Sequence, residues 1–134
     1  EARTWLKTPY HHMARIKGSG VDCAQILIAV YHNVGMIPAL DVGYYAQQWA
    51  LHHSEEIYLS WVEKHCGQVT TPSAGDVVLY KVGRCFSHGA IVVDWPTVIH
   101  AVSKRFKCVM LDNGLTGLWE NRPHRFYSPW RKEQ

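Results

Sequence analysis

Gly20-Val21-Asp22-Cys23-Ala24-Gln25-Ile26-Leu27-Ile28-Ala29-Val30-Tyr31-His32-Asn33-Val34-Gly35 is the stretch on which the fold turns. From Ala24 to Tyr31 it is almost continuously apolar, and Asp22 and Gly35 bound it. A run of this length with such ends predicts a helix over 23–34, buried on most sides. Asp22 is suited to cap its first N–H groups, and Gly35 to the left-handed residue that closes it. The first amides of a helix have no partner within it, and its dipole favours negative charge there. A cysteine at that end is therefore expected to lean towards thiolate, the nucleophilic form. Gly18 and Gly20 would allow close approach of a substrate backbone.

Outward from this helix, residues 1–8 read as a polar lead-in and 10–20 as a loop. Residues 36–43 form a turn-rich link around Pro38. Residues 44–50 and 55–65 read as two more helices, and 67–75 as loop. From Asp76 the apolar period falls towards two. Strands are predicted over 76–82, 87–94 and 97–102, with further strands at 106–111 and within 118–127. Helices first and strands after predict an α+β domain, with N-terminal helices packed on a C-terminal antiparallel sheet.

The chain has 134 residues, which fits one domain over 1–134. Apolar residues make up 47% and charged residues 19%, an ordinary globular balance. The net charge of +3 is spread out, and Lys104, Arg105 and Lys107 form the one dense group, read as a solvated loop. No nucleic-acid footprint is expected from that pattern. No apolar run approaches the roughly 20 residues of a membrane span, so no membrane insertion is expected, and no secretory signal is visible. Cys66, Cys85 and Cys108 are expected to be buried apolar thiols, since none of the four cysteines forms a C-x-x-C pair. Of the nine histidines, His11-His12 and His52-His53 are adjacent pairs that share no helix face, so no metal site and no cofactor are expected. The tryptophans are read as packing, with Trp95 the candidate for a cleft wall.

A cysteine at a helix start is by itself weak evidence of chemistry. A partner comes from Ser87-His88-Gly89-Ala90-Ile91, a strand whose histidine has a neighbour with no side chain to block access. Imidazole titrates near neutrality and suits the base of a thiol. The next strand, Thr97-Val98-Ile99-His100-Ala101, holds a second histidine. A three-residue loop at Asp94-Trp95-Pro96 would oppose Val93 to Thr97 and Ala90 to His100, placing His88 and His100 on one face. A two-residue loop would put them on opposite faces. In the first register His100 can orient His88, as the third member of a triad does.

Three matches in order carry a resemblance: Thr8-Pro9-Tyr10, then Gly20-Val21-Asp22-Cys23, then Ser87-His88-Gly89-Ala90-Ile91 followed by His100-Ala101. Ala74-Gly75-Asp76-Val77 is similar to a Pro-Gly-Asp strand opening. Together the chain resembles the NlpC family of papain-like cell-wall endopeptidases. The resemblance implies Cys23 as nucleophile, His88 as base and His100 as orienting residue. It implies that Tyr10 helps place or polarise the scissile carbonyl, and that Asp22 supports the helix start. The amides of Cys23 and Ala24 would serve an oxyanion hole. The substrates implied are peptidoglycan stem peptides, cut next to a D-glutamyl residue bonded through its side chain. The form of the motifs looks most like members from phage tails and gene-transfer particles, which implies tail proteins as partners and a virion tail or cell envelope as location.

Two positions depart from the family pattern. Ala24-Gln25 stands where Ser-Gly is usual, so the bulkier Gln25 is expected to alter substrate fit. Ala74 replaces the usual proline. Two other functions use the same residues differently: a thiol amidase or acyltransferase on this scaffold, and a non-catalytic tail adaptor.

Overall fold

The computed structural model describes residues 1–45 and 56–130. A 3-10 turn, Ala2–Trp5, and a two-stranded hairpin, β1 (Arg15–Ile16) and β2 (Gly20–Val21), lead into α1 (Gln25–Asn33). The next helix among the described residues is α2 (Ile57–His65). The rest is sheet: β3 (Gly67–Val69), β4 (Val77–Val82), β5 (Cys85–Asp94), β6 (Thr97–Ala101), β7 (Val109–Asn113) and β8 (His124–Ser128). These six strands form one antiparallel sheet in the order β3-β8-β4-β5-β6-β7. The α+β reading is therefore correct.

The long helix forms as the sequence requires. Gln25 to Tyr31 are all buried. Its regular part begins at Gln25, but the Asp22 carbonyl already accepts from the Ile26 N–H at 3.1 Å, so Cys23 and Ala24 make the first turn. At the other end Gly35 adopts φ 80°, and its N–H and that of Met36 return to His32 and Tyr31. This left-handed closure is the one Gly35 predicted.

Ile26, Leu27 and Val30 of α1 and Tyr58 and Leu59 of α2 pack on Val77, Leu79, Ile91 and Ile99 of the sheet. Each such side chain removed from water stabilises the fold by about 1.5–3 kcal/mol. The opposite face of the sheet is not open to solvent. Val78, Tyr80, Ala90, Val92 and Val98 form a second core there, lidded by Trp119 from a 3-10 turn, Gly117–Trp119. Two cores explain why Val77-Val78-Leu79-Tyr80 is buried without alternation.

Several expectations are corrected. Residues 67–75 are not all loop: β3 opens them and pairs with β8. The 10–20 loop contains β1 and the start of β2. Of the helix expected at 44–50, residues 46–50 lie outside the described residues, and Tyr44 and Tyr45 have no regular structure. All four cysteines are free thiols, but only Cys85 is buried; Cys66 and Cys108 are half-buried. Among the described residues no helix is long and apolar enough to cross a membrane, and no cluster could hold a metal ion.

Candidate active site

The β5–β6 hairpin fixes the two histidines by a route the sequence did not suggest. Its loop is the two-residue form, Trp95-Pro96, between Asp94 and Thr97. That form alone would have separated His88 from His100. A bulge at Val93 restores the phase: Asp94 opposes Thr97, yet Val92 opposes Val98 and Ile91 opposes Ile99. An extra residue in one strand shifts all that follow by one position. The expected pairing of Val93 with Thr97 is thus wrong, and the expected shared face is right. His88 Nε2 lies 2.9 Å from His100 Nδ1, in the second core.

A second bulge sits beside His88. Tyr80 opposes His88, but Lys81 opposes Phe86, leaving Ser87 as the extra residue. Cys23 meets β5 at this irregularity. Its thiol donates to the Ser87 carbonyl at 3.8 Å, and the Gly89 N–H reaches the sulfur. The sulfur thus rests on the two chain neighbours of His88. Glycine at position 89 is required by close packing: a Cβ there would lie 2.4 Å from the Tyr58 hydroxyl and 2.7 Å from Leu27 Cδ1. Tyr58 also donates to the Cys23 carbonyl at 2.6 Å.

Asp22 organises the helix start more completely than a simple cap. Its Oδ1 accepts from the N–H groups of Ala24 (3.1 Å) and Gln25 (2.8 Å). Its Oδ2 accepts from the Met13 N–H at 2.7 Å and from the Tyr45 hydroxyl. One expectation fails here. The Ala24 N–H is already bonded to Asp22 and is not free for an oxyanion. Gln25, expected to alter substrate fit, has a buried side chain that donates to Tyr45 Oη at 3.2 Å. His12 joins this network, with Nε2 2.9 Å from the Tyr45 carbonyl and Nδ1 3.7 Å from Asp22 Oδ2.

Electrostatics at Cys23 run against the thiolate expectation. Burial is the largest influence and pushes the thiol well up, and the Asp22 charge adds to it. The N–H groups of Cys23 and Gly89 and the Tyr10 hydroxyl act in the opposite sense and are outweighed. The resting sulfur is a neutral thiol, because desolvation of the anion exceeds what two amides and one hydroxyl return. Tyr10 is held beside it by backbone, with its N–H on the Lys107 carbonyl at 2.7 Å and a bridge to Val21. Burial and the neighbouring Cys23 and Asp22 push its phenol up, so it remains a donor.

His88 is 9% exposed and His100 is fully buried. His88 stacks on Trp119, centroids 4.5 Å apart and planes 16° apart. Burial, then His100 and Arg122, push the His88 imidazole well below its ordinary value. Beyond His100 stands a residue that sequence reasoning missed. His100 Nε2 lies 2.9 Å from Asp112 Oδ2, and the Trp119 indole N–H donates to the same oxygen at 3.1 Å. Asp112 sits on β7 opposite Val98, hence on the His100 face. Its signal was present in the alternation of Met110-Leu111-Asp112, but the predicted strand ended one residue short of it. Trp95, expected as a cleft wall, is half-buried on the second core, against Phe126 (4.8 Å) and His124 (5.6 Å).

No family model and no curated protein matches the sequence. Solved structures do match the fold. The NlpC/P60 domain of the peptidoglycan hydrolase SagA is 20% identical, with a TM-score of 0.61 over 92% of this chain and 90% of that one. NlpC1 from Trichomonas vaginalis is 13% identical, with a TM-score of 0.66 over 94% of this chain. A lipoprotein-like member of the NLP/P60 family from Staphylococcus aureus is 16% identical, with a TM-score of 0.61 over 92% of this chain. The chain spans 40% and 38% of the lengths of the last two. It has the papain-like α+β fold of NlpC/P60 domains.

Proposed function

We propose that this protein is a cysteine peptidase that hydrolyses peptide bonds in peptidoglycan stem peptides, with Cys23 as nucleophile and His88 as base. The observation that supports this most is the contact of the Cys23 sulfur with Ser87 and Gly89, the residues that flank a buried, neutral His88. Both resting groups are neutral, so the proton moves during attack. The S–H bond breaks as His88 takes the proton and the sulfur pair attacks the amide carbonyl. The Cys23 N–H and the Tyr10 hydroxyl are the donors left to the oxyanion, since Asp22 occupies those of Ala24 and Gln25. His88 then returns its proton to the leaving amine, and a water activated by His88 opens the thioester. No metal enters this scheme.

Within that reading, the bond cut is the one following a side-chain-linked D-glutamyl residue, and the protein works on the cell envelope, as part of a phage tail or similar particle. These finer assignments rest on the motif resemblance. Digestion of purified sacculi, with the masses of released fragments, tests them. Loss of an amide at the D-glutamyl junction supports the assignment. Release of an intact stem from its sugar would make the protein an amidase instead.

A further inference from the structure

The carboxylate of Asp112 and the indole of Trp119 extend the bonded pair of His88 and His100, and the proposed reaction leaves both without a role. We propose that Asp112 is a positioning residue that, through His100, keeps the protons of both imidazoles on Nε2 and leaves Nδ1 of His88 as the basic nitrogen.

The argument is one of donors and acceptors. An ionised carboxylate only accepts. His100 Nε2, 2.9 Å from Asp112 Oδ2, must therefore carry a hydrogen. With His100 neutral, as proposed, this is its one hydrogen, and His100 Nδ1 is an acceptor. His88 Nε2, 2.9 Å from that nitrogen, must then be the donor. It follows that His88 Nδ1 has no hydrogen and presents its lone pair. Asp112 itself has little freedom to answer otherwise. Its Oδ2 also receives the Trp119 indole N–H at 3.1 Å, and its Oδ1 the Asn113 N–H at 2.8 Å. The His100 hydrogen bond is the main influence holding its carboxyl below its ordinary range, which keeps it an acceptor. Trp119 stacks on His88 and leans over His100 at 5.1 Å, covering both rings.

The catalytic consequence follows from the proposed reaction and rests on it. In that reaction the proton from the Cys23 S–H goes to His88 Nδ1, the ring nitrogen not bonded to His100. The resulting imidazolium still donates from Nε2 to His100, which still donates to Asp112. Positive charge is thus met by a carboxylate two bonds away with no rearrangement. The opposite polarity, a doubly protonated His100 donating to both neighbours, would put the hydrogen of a neutral His88 on Nδ1.

Histidine nitrogen NMR of 15N-labelled protein tests this near neutral pH, in the wild type and in Cys23→Ala. The expected result is two neutral rings with hydrogen on Nε2 for both His88 and His100. A doubly protonated His100, or hydrogen on Nδ1 of His88, overturns the proposal. Asp112→Asn is the second arm. If its amide oxygen faces His100, its NH2 meets the Asn113 N–H, and the reverse turns the NH2 on Trp119 and His100. Its His100 and His88 signals are expected to become tautomer mixtures. Unchanged signals overturn the proposal. Trp119→Phe keeps the stack and removes one donor, and is expected to preserve the tautomers, whereas mixed tautomers there would make Trp119 the determinant and overturn the assignment to Asp112. In turnover, kcat of Asp112→Asn should drop about 10- to 100-fold with KM little changed, short of the roughly 10²–10⁴ a base contributes. Turnover by Cys23→Ala would instead end the peptidase reading and leave the tautomer result standing.

Discussion

The Tyr58 hydroxyl donates to the Cys23 carbonyl at 2.6 Å and, at the same atom, closes the space above Gly89. One side chain of α2 thus fixes both the peptide of Cys23 and the strand that carries His88. Tyr58→Phe keeps the ring and deletes the bond. A deleted bond to a buried partner costs about 1–3 kcal/mol. A lower melting temperature and a several-fold loss of kcat are expected. Full activity at wild-type stability would show that the helix start is held by other means.

Asp22 pulls the site two ways. It binds the first turn of α1, and its charge pushes the Cys23 thiol up. Asp22→Asn removes the charge and part of the bonding. Stability should fall by about 1–2 kcal/mol, in the range of a lost helix cap. Alkylation of Cys23 by iodoacetamide at fixed, mildly alkaline pH should become faster, because more of the thiol is ionised. Slower alkylation in a folded variant would contradict the charge argument.

How much of this was legible beforehand differs from element to element. The helix from Cys23 was readable because apolar run and end residues agreed. The facing of His88 and His100 was reached through a wrong loop length, because one bulged residue has no signature in an apolar run of Ala90 to Val93. Asp112 escaped notice because its meaning depends on β6–β7 register, a long-range property. β3 escaped because three residues have no periodicity and pair with a strand far along the chain. The thiolate expectation failed for a different reason. A helix-end argument counts the favourable amides, whereas desolvation is known only once the sulfur's burial is known.

The pH dependence of stability has a definite sign. His88 in the unfolded chain takes a proton as pH falls through its ordinary value of 6.5, and the folded ring, pushed well below that, does not. Below 6.5 the unfolded state therefore binds more protons, and stability drops as pH drops; above it this contribution is fully present. Asp112, held below 3.8, adds a loss of the same sign further into acid. Thermal unfolding across this range should show the slope, and His88→Gln should flatten its upper part. Stability that rises on acidification would mean that His88 is charged in the fold.

In the proposed reaction His100, bonded to His88, orients that ring and does not touch the substrate, so His100→Ala should cost less kcat than His88→Ala. The expected ratio is at least about tenfold, within the 10²–10⁴ that a general base contributes. Equal losses would mean that both rings act directly on the reacting atoms.

Digestion of purified sacculi by the wild type and by Cys23→Ala, with equal thermal stability of the two established first, addresses the nucleophile itself. Release of soluble stem-peptide fragments by the wild type and none by the variant is the predicted result. Equal release by both proteins would contradict it, because a reaction that runs without the sulfur does not pass through a thioester.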